Sequence, residues 1–238
     1  MGVTVKKPST WSHYKALLKK DLMQEMHTRE MLTSMGLYAL LVLVVYGAAL
    51  AQNSVQIDIL QMSGGLLWVV VLFTSLLGLN RSFSHEKEQG CMEGLMLIPM
   101  DRSVIFLAKA TANFIFLTVI ELIVVPLFFF FFLGNVELAP SWPLLIVCLV
   151  VGTIGIAGVG TLLATMTVNT RGKDVMLAVL FIPLVFPLLW ASVAATTCVM
   201  VGEVGYMHTF LISLTMMGGY NIIMMLASWV LYDFVVGS

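Results

Sequence analysis

Six apolar runs, at about residues 34–51, 62–79, 105–133, 143–168, 175–200 and 209–232, occupy more than half of this 238-residue chain, and the short gaps between them hold most of the polar residues. A helix needs about 20 mostly apolar residues to cross roughly 30 Å of hydrocarbon, and each run supplies close to that length or more. Inside lipid every backbone donor and acceptor must be satisfied within the protein, so runs of this kind can only become helices. The chain is therefore predicted to be an all-α polytopic membrane protein with six transmembrane helices forming one transmembrane domain over residues 1–238. Composition agrees: 60% of the residues are hydrophobic and 11% charged, where soluble domains carry about a quarter charged. The first run ends in Ala49-Leu50-Ala51, which resembles a signal-peptidase site. The charged region before it is longer than a secretory signal allows, so the segment is expected to stay as a helix.

Charge placement orients the spans. Lys and Arg occur in three places only: the N-terminal arm (Lys6, Lys7, Lys15, Lys19, Lys20, Arg29), the second gap and the helix start beyond it (Arg81, Lys87, Arg102, Lys109), and the fourth gap (Arg171, Lys173). The first, third and fifth gaps carry Asp58, Glu137 and Glu203 and no base. Basic residues stay on the cytoplasmic side, so both termini are expected in the cytoplasm of a bacterial cell whose inner membrane the chain spans. The net charge of −1 gives no general attraction to nucleic acid; lipid is the expected surroundings. Cys91, Cys148 and Cys198 are far apart and suggest inert burial, with neither a disulfide framework nor a metal site.

Within this frame several segments stand out. Residues 11–30 set Trp11, Tyr14, Leu18, Leu22 and Met26 at three- and four-residue spacing, the pattern of an amphipathic helix lying in the cytoplasmic interface with its lysines turned outward; the plainer reading is a solvated helical arm. The third run is expected to begin as cytoplasmic helix near Arg102 and to enter lipid after Lys109. Glu121 then falls deep in the membrane. A charge there is costly, so the carboxyl should face the bundle, either as a functional group or as a neutral packing residue, with Thr118 one turn away as a partner. Gly152, Gly155, Gly158 and Gly160 should let neighbouring backbones approach the fourth span and make it a central packing helix. Pro183 and Pro187 remove two backbone donors in the fifth span and predict a kink or break. No run shows a continuous polar lining.

The second gap is the most informative stretch. Gly90 can end the incoming helix and Pro99 bars a following one from running through. The short helix expected at 90–99 exposes Met92, Leu95 and Met96, with Glu93 in its first turn. Such a charged-rimmed helix suits docking into a groove of a soluble partner, or forms a lid over its own bundle. The chain has no G-x-x-x-x-G-K-[ST] loop, so it is not its own ATPase, and no HExxH or GxSxG motif points to an enzyme.

The stretch HEKEQGCMEGLMLIPMDRSVIFLAKATAN resembles the coupling segment of six-helix ABC-2-type permeases. Together with Lys19-Lys20-Asp21, Glu121 to Pro126, Asn169-Thr170-Arg171, the Pro183 and Pro187 pair and Leu231-Tyr232-Asp233-Phe234, nearly the whole chain resembles the membrane B-subunit family of cytochrome c maturation complexes. Cys91 departs from the small hydroxyl or alanine of that pattern. The resemblance implies a permease subunit, two copies per complex, whose segment with Glu86, Glu88, Gly90, Met92, Glu93, Leu95, Met96 and Pro99 contacts a separate ABC ATPase (CcmA-like). It implies further partners, CcmC-like and CcmD-like membrane proteins and a CcmE-like heme chaperone, with heme as candidate substrate, ATP used through the partner, and no cofactor held stably. His208, beside Tyr206 and Met207, is the histidine placed to meet heme beyond the membrane; a polar anchor is its plainer role. An exporter of a lipid, drug or glycan and a scaffold that transduces no energy stay open as alternatives.

Overall fold

The computed structural model describes residues 10–51, 58–88, 102–133, 141–167, 170, 172–202 and 205–237. These form seven α-helices and, among the described residues, no strand: α1 (Thr10–Thr28), α2 (Glu30–Ala51), α3 (Ile59–Glu88), α4 (Arg102–Phe128), α5 (Trp142–Thr167), α6 (Lys173–Val201) and α7 (Tyr206–Gly237). A π-helical turn, Phe129–Leu133, extends α4. Helices α2 to α7 each hold a stretch long and apolar enough to cross a membrane, six in all, as the apolar runs predict. The short helix expected at 90–99 lies outside the described residues.

Polar contacts sort the helix ends into two sets. At one end, Arg81 of α3 pairs with Glu30 of α2 at 2.8 Å, and the Trp229 indole of α7 donates to the Ser103 hydroxyl of α4 at 2.7 Å. At the other, Ser141 and Tyr206 place their hydroxyls 3.3 Å apart before α5 and at the start of α7, and Ser63 of α3 reaches the Met200 sulfur of α6 at 2.8 Å. The helices alternate in direction, and the described basic positions Lys15, Lys19, Lys20, Arg29, Arg81, Lys87, Arg102, Lys109 and Lys173 all fall toward the first end.

Helix α1 packs against the bundle at that basic end. The Tyr14 hydroxyl donates to Thr111 of α4 at 3.1 Å, Asp21 lies 3.9 Å from the Lys109 ammonium, and Leu17 packs on Ile105, Phe106 and Leu162. Trp11 and Met26, on the same periodic stripe, stay exposed; Trp11 stacks on Tyr14 with Lys15 over its ring. The corner into α2 turns on Arg29, whose φ of 51° is the only positive value at a described non-glycine residue. The Glu25 carboxylate supports the corner by accepting from the Leu32 N–H at 2.9 Å. A left-handed L-residue is held at about 1–2 kcal/mol, so Arg29→Gly is expected to leave stability unchanged or raise it by about 0.5 kcal/mol, and Arg29→Val to lower it by about 1 kcal/mol or more, as read by thermal unfolding in detergent.

Helix α5 sits at the centre, and its glycines explain why. A Cβ on Gly152 would enter the Trp68 ring of α3, and one on Gly160 would overlap Leu79 of the same helix. On a second face, a Cβ on Gly155 would overlap the Asn221 side chain of α7, and one on Gly158 would stand 3.1 Å from Met225. Asn221 itself donates to the Val151 carbonyl at 2.7 Å. Small residues thus bring α3 and α7 onto the α5 backbone, where dispersion and interhelical hydrogen bonds hold a membrane bundle together.

Of the kink or break expected in the fifth span, the break is absent: α6 runs unbroken through Pro183 and Pro187. Both prolines lie on its exposed face, while Phe181, Val185 and Leu188 are fully buried on the opposite side and keep the segment packed. The Tyr220 hydroxyl of α7 donates to the Leu184 carbonyl at 2.7 Å, between the two prolines; a neighbouring helix so supplies a donor where the ladder is weakened.

Candidate functional site

The buried face between α4 and α5 carries both charged residues buried among the described ones, Lys109 and Glu121, with several buried polar residues beside them. The helices run antiparallel, so four residues forward on α4 correspond to four back on α5. Asn113 of α4 donates from Nδ2 to the Thr161 hydroxyl at 2.9 Å. Two turns further on, the Thr153 hydroxyl lies 2.5 Å from Glu121 Oε1. Between them this register opposes Leu117 to Ala157, and one turn toward the basic end it brings Lys109 level with Thr165. Lys109, Asn113, Glu121, Thr153, Thr161 and Thr165 are all buried. Beyond Glu121 the seam turns apolar: Val125, Phe128 and Phe132 of α4 and Leu149 and Leu145 of α5 are buried.

Glu121 therefore faces the bundle, 6% exposed, and its partner comes from α5. Thr118, the neighbour expected from helical spacing, spends its hydroxyl on the Phe114 carbonyl of its own helix at 2.8 Å. Sequence reading identified the carboxyl but missed Asn113 and Thr153. A usable signal was there: Asn113 and Glu121 stand eight apart on one run, and Thr153 and Thr161 eight apart on the next. The seam is interrupted at Leu117 and Ala157, so it is no continuous polar path.

The remaining candidates lie apart. Glu86 and Glu88 close the last turn of α3; Gly90, Met92, Glu93, Leu95, Met96 and Pro99 lie outside the described residues. Segment 89–101 is nevertheless bounded by the end of α3 and the start of α4, both at the basic end. His208 is exposed in the first turn of α7, at the opposite end of the bundle.

Six apolar helices gathered on a glycine-faced central helix define a multi-pass helical membrane protein. The chain belongs to the CcmB protein family, which it matches over residues 12–231. It is 34% identical over 128 residues to heme exporter protein B of Pseudomonas aeruginosa, covering 54% of this chain and 56% of that protein. It is 24% identical over 173 residues to heme exporter protein B of Haemophilus influenzae, with 73% and 76% covered, and 30% identical over 129 residues to that of Rhodobacter capsulatus, with 54% and 58% covered. The matched stretch thus spans just over half of the Pseudomonas and Rhodobacter proteins.

Proposed function

We propose that this chain is the permease subunit of an ATP-driven ABC transporter complex in a bacterial inner membrane, acting in cytochrome c biogenesis. ATP is hydrolysed by a separate ATPase and drives heme export or release of a heme-carrying chaperone. Kinship to heme exporter B proteins supports the process. The observation that carries the coupling is positional: α3 ends at Glu88 and α4 begins at Arg102, both at the end where the described basic residues gather, the end expected to stay in the cytoplasm. Both termini belong to that side on this reading, and His208 faces the other.

From that cytoplasmic position Met92, Leu95 and Met96 would seat in a groove of the ATPase, with Glu86, Glu88 and Glu93 on the rim. Reversing Glu88 and Glu93 to lysine is expected to abolish co-purification with the ATPase and to depress holocytochrome c yield at least tenfold, since like charges at a rim act against a partner by several kcal/mol. Unchanged association and unchanged yield would sink the coupling role and favour a scaffold. The same pull-down names the process: cytochrome c assembly proteins in the eluate support it, and their absence beside a retained ATPase points to an exporter of another substrate.

A further inference from the structure

A narrow cavity opens between α3 and α4 beside Glu121. Val70, Val71, Leu117, Ile120 and Val124 make its walls apolar, and its two polar residues are Glu121 and Thr74. Thr74 is 2% exposed, and its hydroxyl has no hydrogen-bond partner. A buried hydroxyl left unmatched is destabilising, and a pocket that offers polar partners and room on the order of one water molecule is where internal water is found. The apolar walls offer nothing that would hold a metal ion or a larger ligand.

Hydrogen counting on the other side of the carboxyl points the same way. At the neighbouring clamp, Asn113 donates to the Thr161 hydroxyl, and that hydroxyl donates to the Ala157 carbonyl at 2.6 Å. At Glu121 the geometry repeats: the Thr153 hydroxyl lies 2.8 Å from the Leu149 carbonyl and 2.5 Å from the carboxyl. Thr153 has one hydrogen for two acceptors. Both contacts are hydrogen bonds at once, as at Asn113, only if the carboxyl brings a hydrogen of its own.

We propose that Glu121 is held as a carboxylic acid that donates to Thr153 and shares a single bound water with Thr74, making the α3–α4 cavity an internal water site within the membrane. The carboxyl O–H serves Thr153; its second oxygen accepts from the water, whose lone pair accepts from the Thr74 hydroxyl.

Infrared difference spectroscopy on the full-length protein in phospholipid nanodiscs tests this. Wild type minus Glu121→Gln should show a protonated-carboxyl C=O band that shifts in D2O; a pair of carboxylate bands in its place overturns the proposal. Thr74→Val should move that band to higher frequency by removing the bridging water, and Thr74→Ser should leave it where it is. A band unmoved by Thr74→Val refutes the water bridge. Thr74→Cys, of nearly the same volume and a weak hydrogen bonder, should reproduce the shift if the valine variant fails to fold, and an unmoved band there counts equally against it.

Discussion

Gly152→Ala is expected to lower the stability of the bundle by about 2–3 kcal/mol, the upper part of the range for overfilling a packed core. One methyl is added, but it falls inside the Trp68 ring. That ring cannot swing aside freely: it is 1% exposed, and its Nε1 donates to the Thr196 hydroxyl of α6 at 2.9 Å. Moving it breaks a buried hydrogen bond and separates α3 from both α5 and α6. The control is Gly218→Ala on α7, where an added Cβ meets nothing within 4 Å and helix propensity should leave stability unchanged or raise it by up to about 1 kcal/mol. Unfolding in mixed detergent micelles measures both. If the two variants prove equally stable, the close approach of α3 to α5 is not what holds the centre together.

Asp21→Lys should free α1 from the bundle. The substitution sets a second ammonium against Lys109, whose side chain is 7% exposed and lies 3.9 Å from the Asp21 carboxylate. Removing one partner of a fully buried pair is destabilising by about 3–5 kcal/mol. Asp21 keeps 15% of its surface in solvent and the separation is long, so a local effect of about 2 kcal/mol is the better figure. Amide hydrogen exchange across residues 10–28 should then quicken by roughly 30-fold, with α5 unaffected. Adding Lys109→Asp restores the opposite charges and should recover most of the protection. Exchange that stays slow in the single variant would mean that Leu17, Leu18, Leu22 and Tyr14 hold α1 without the ion pair.

The two variants also mark what could be read before the fold was known. Span number followed from hydrocarbon thickness alone, and the glycine run of α5 announced a close-packed helix because a missing side chain has one effect wherever it sits. Glu121 was recognisable for the same reason: a lone carboxyl in an apolar run must turn inward. Its partner was not, since helical spacing offers Thr118 whereas the antiparallel register offers Thr153, and register is set by side chains from two distant segments. The docking of α1 was hidden in the same way. Lys109 and Asp21 are 88 positions apart, and an amphipathic stripe cannot say whether lipid or protein covers it. The break that the prolines of α6 suggested does not occur, because local chemistry weakens a helix while packing of Phe181, Val185 and Leu188 decides whether it continues.

Four neighbours surround α5: Trp68 and Leu79 of α3 against its glycines, Asn113 and Glu121 of α4 against its threonines, Asn221 and Met225 of α7 on a further face, and Leu188 of α6 against Gly155. Such a helix behaves as an axle. It can neither slide nor spin without dislodging all four at once, so it is the member of the bundle least able to move. Helix α2 lies at the rim instead, largely exposed along its length and tethered at the basic end through the Glu30–Arg81 pair.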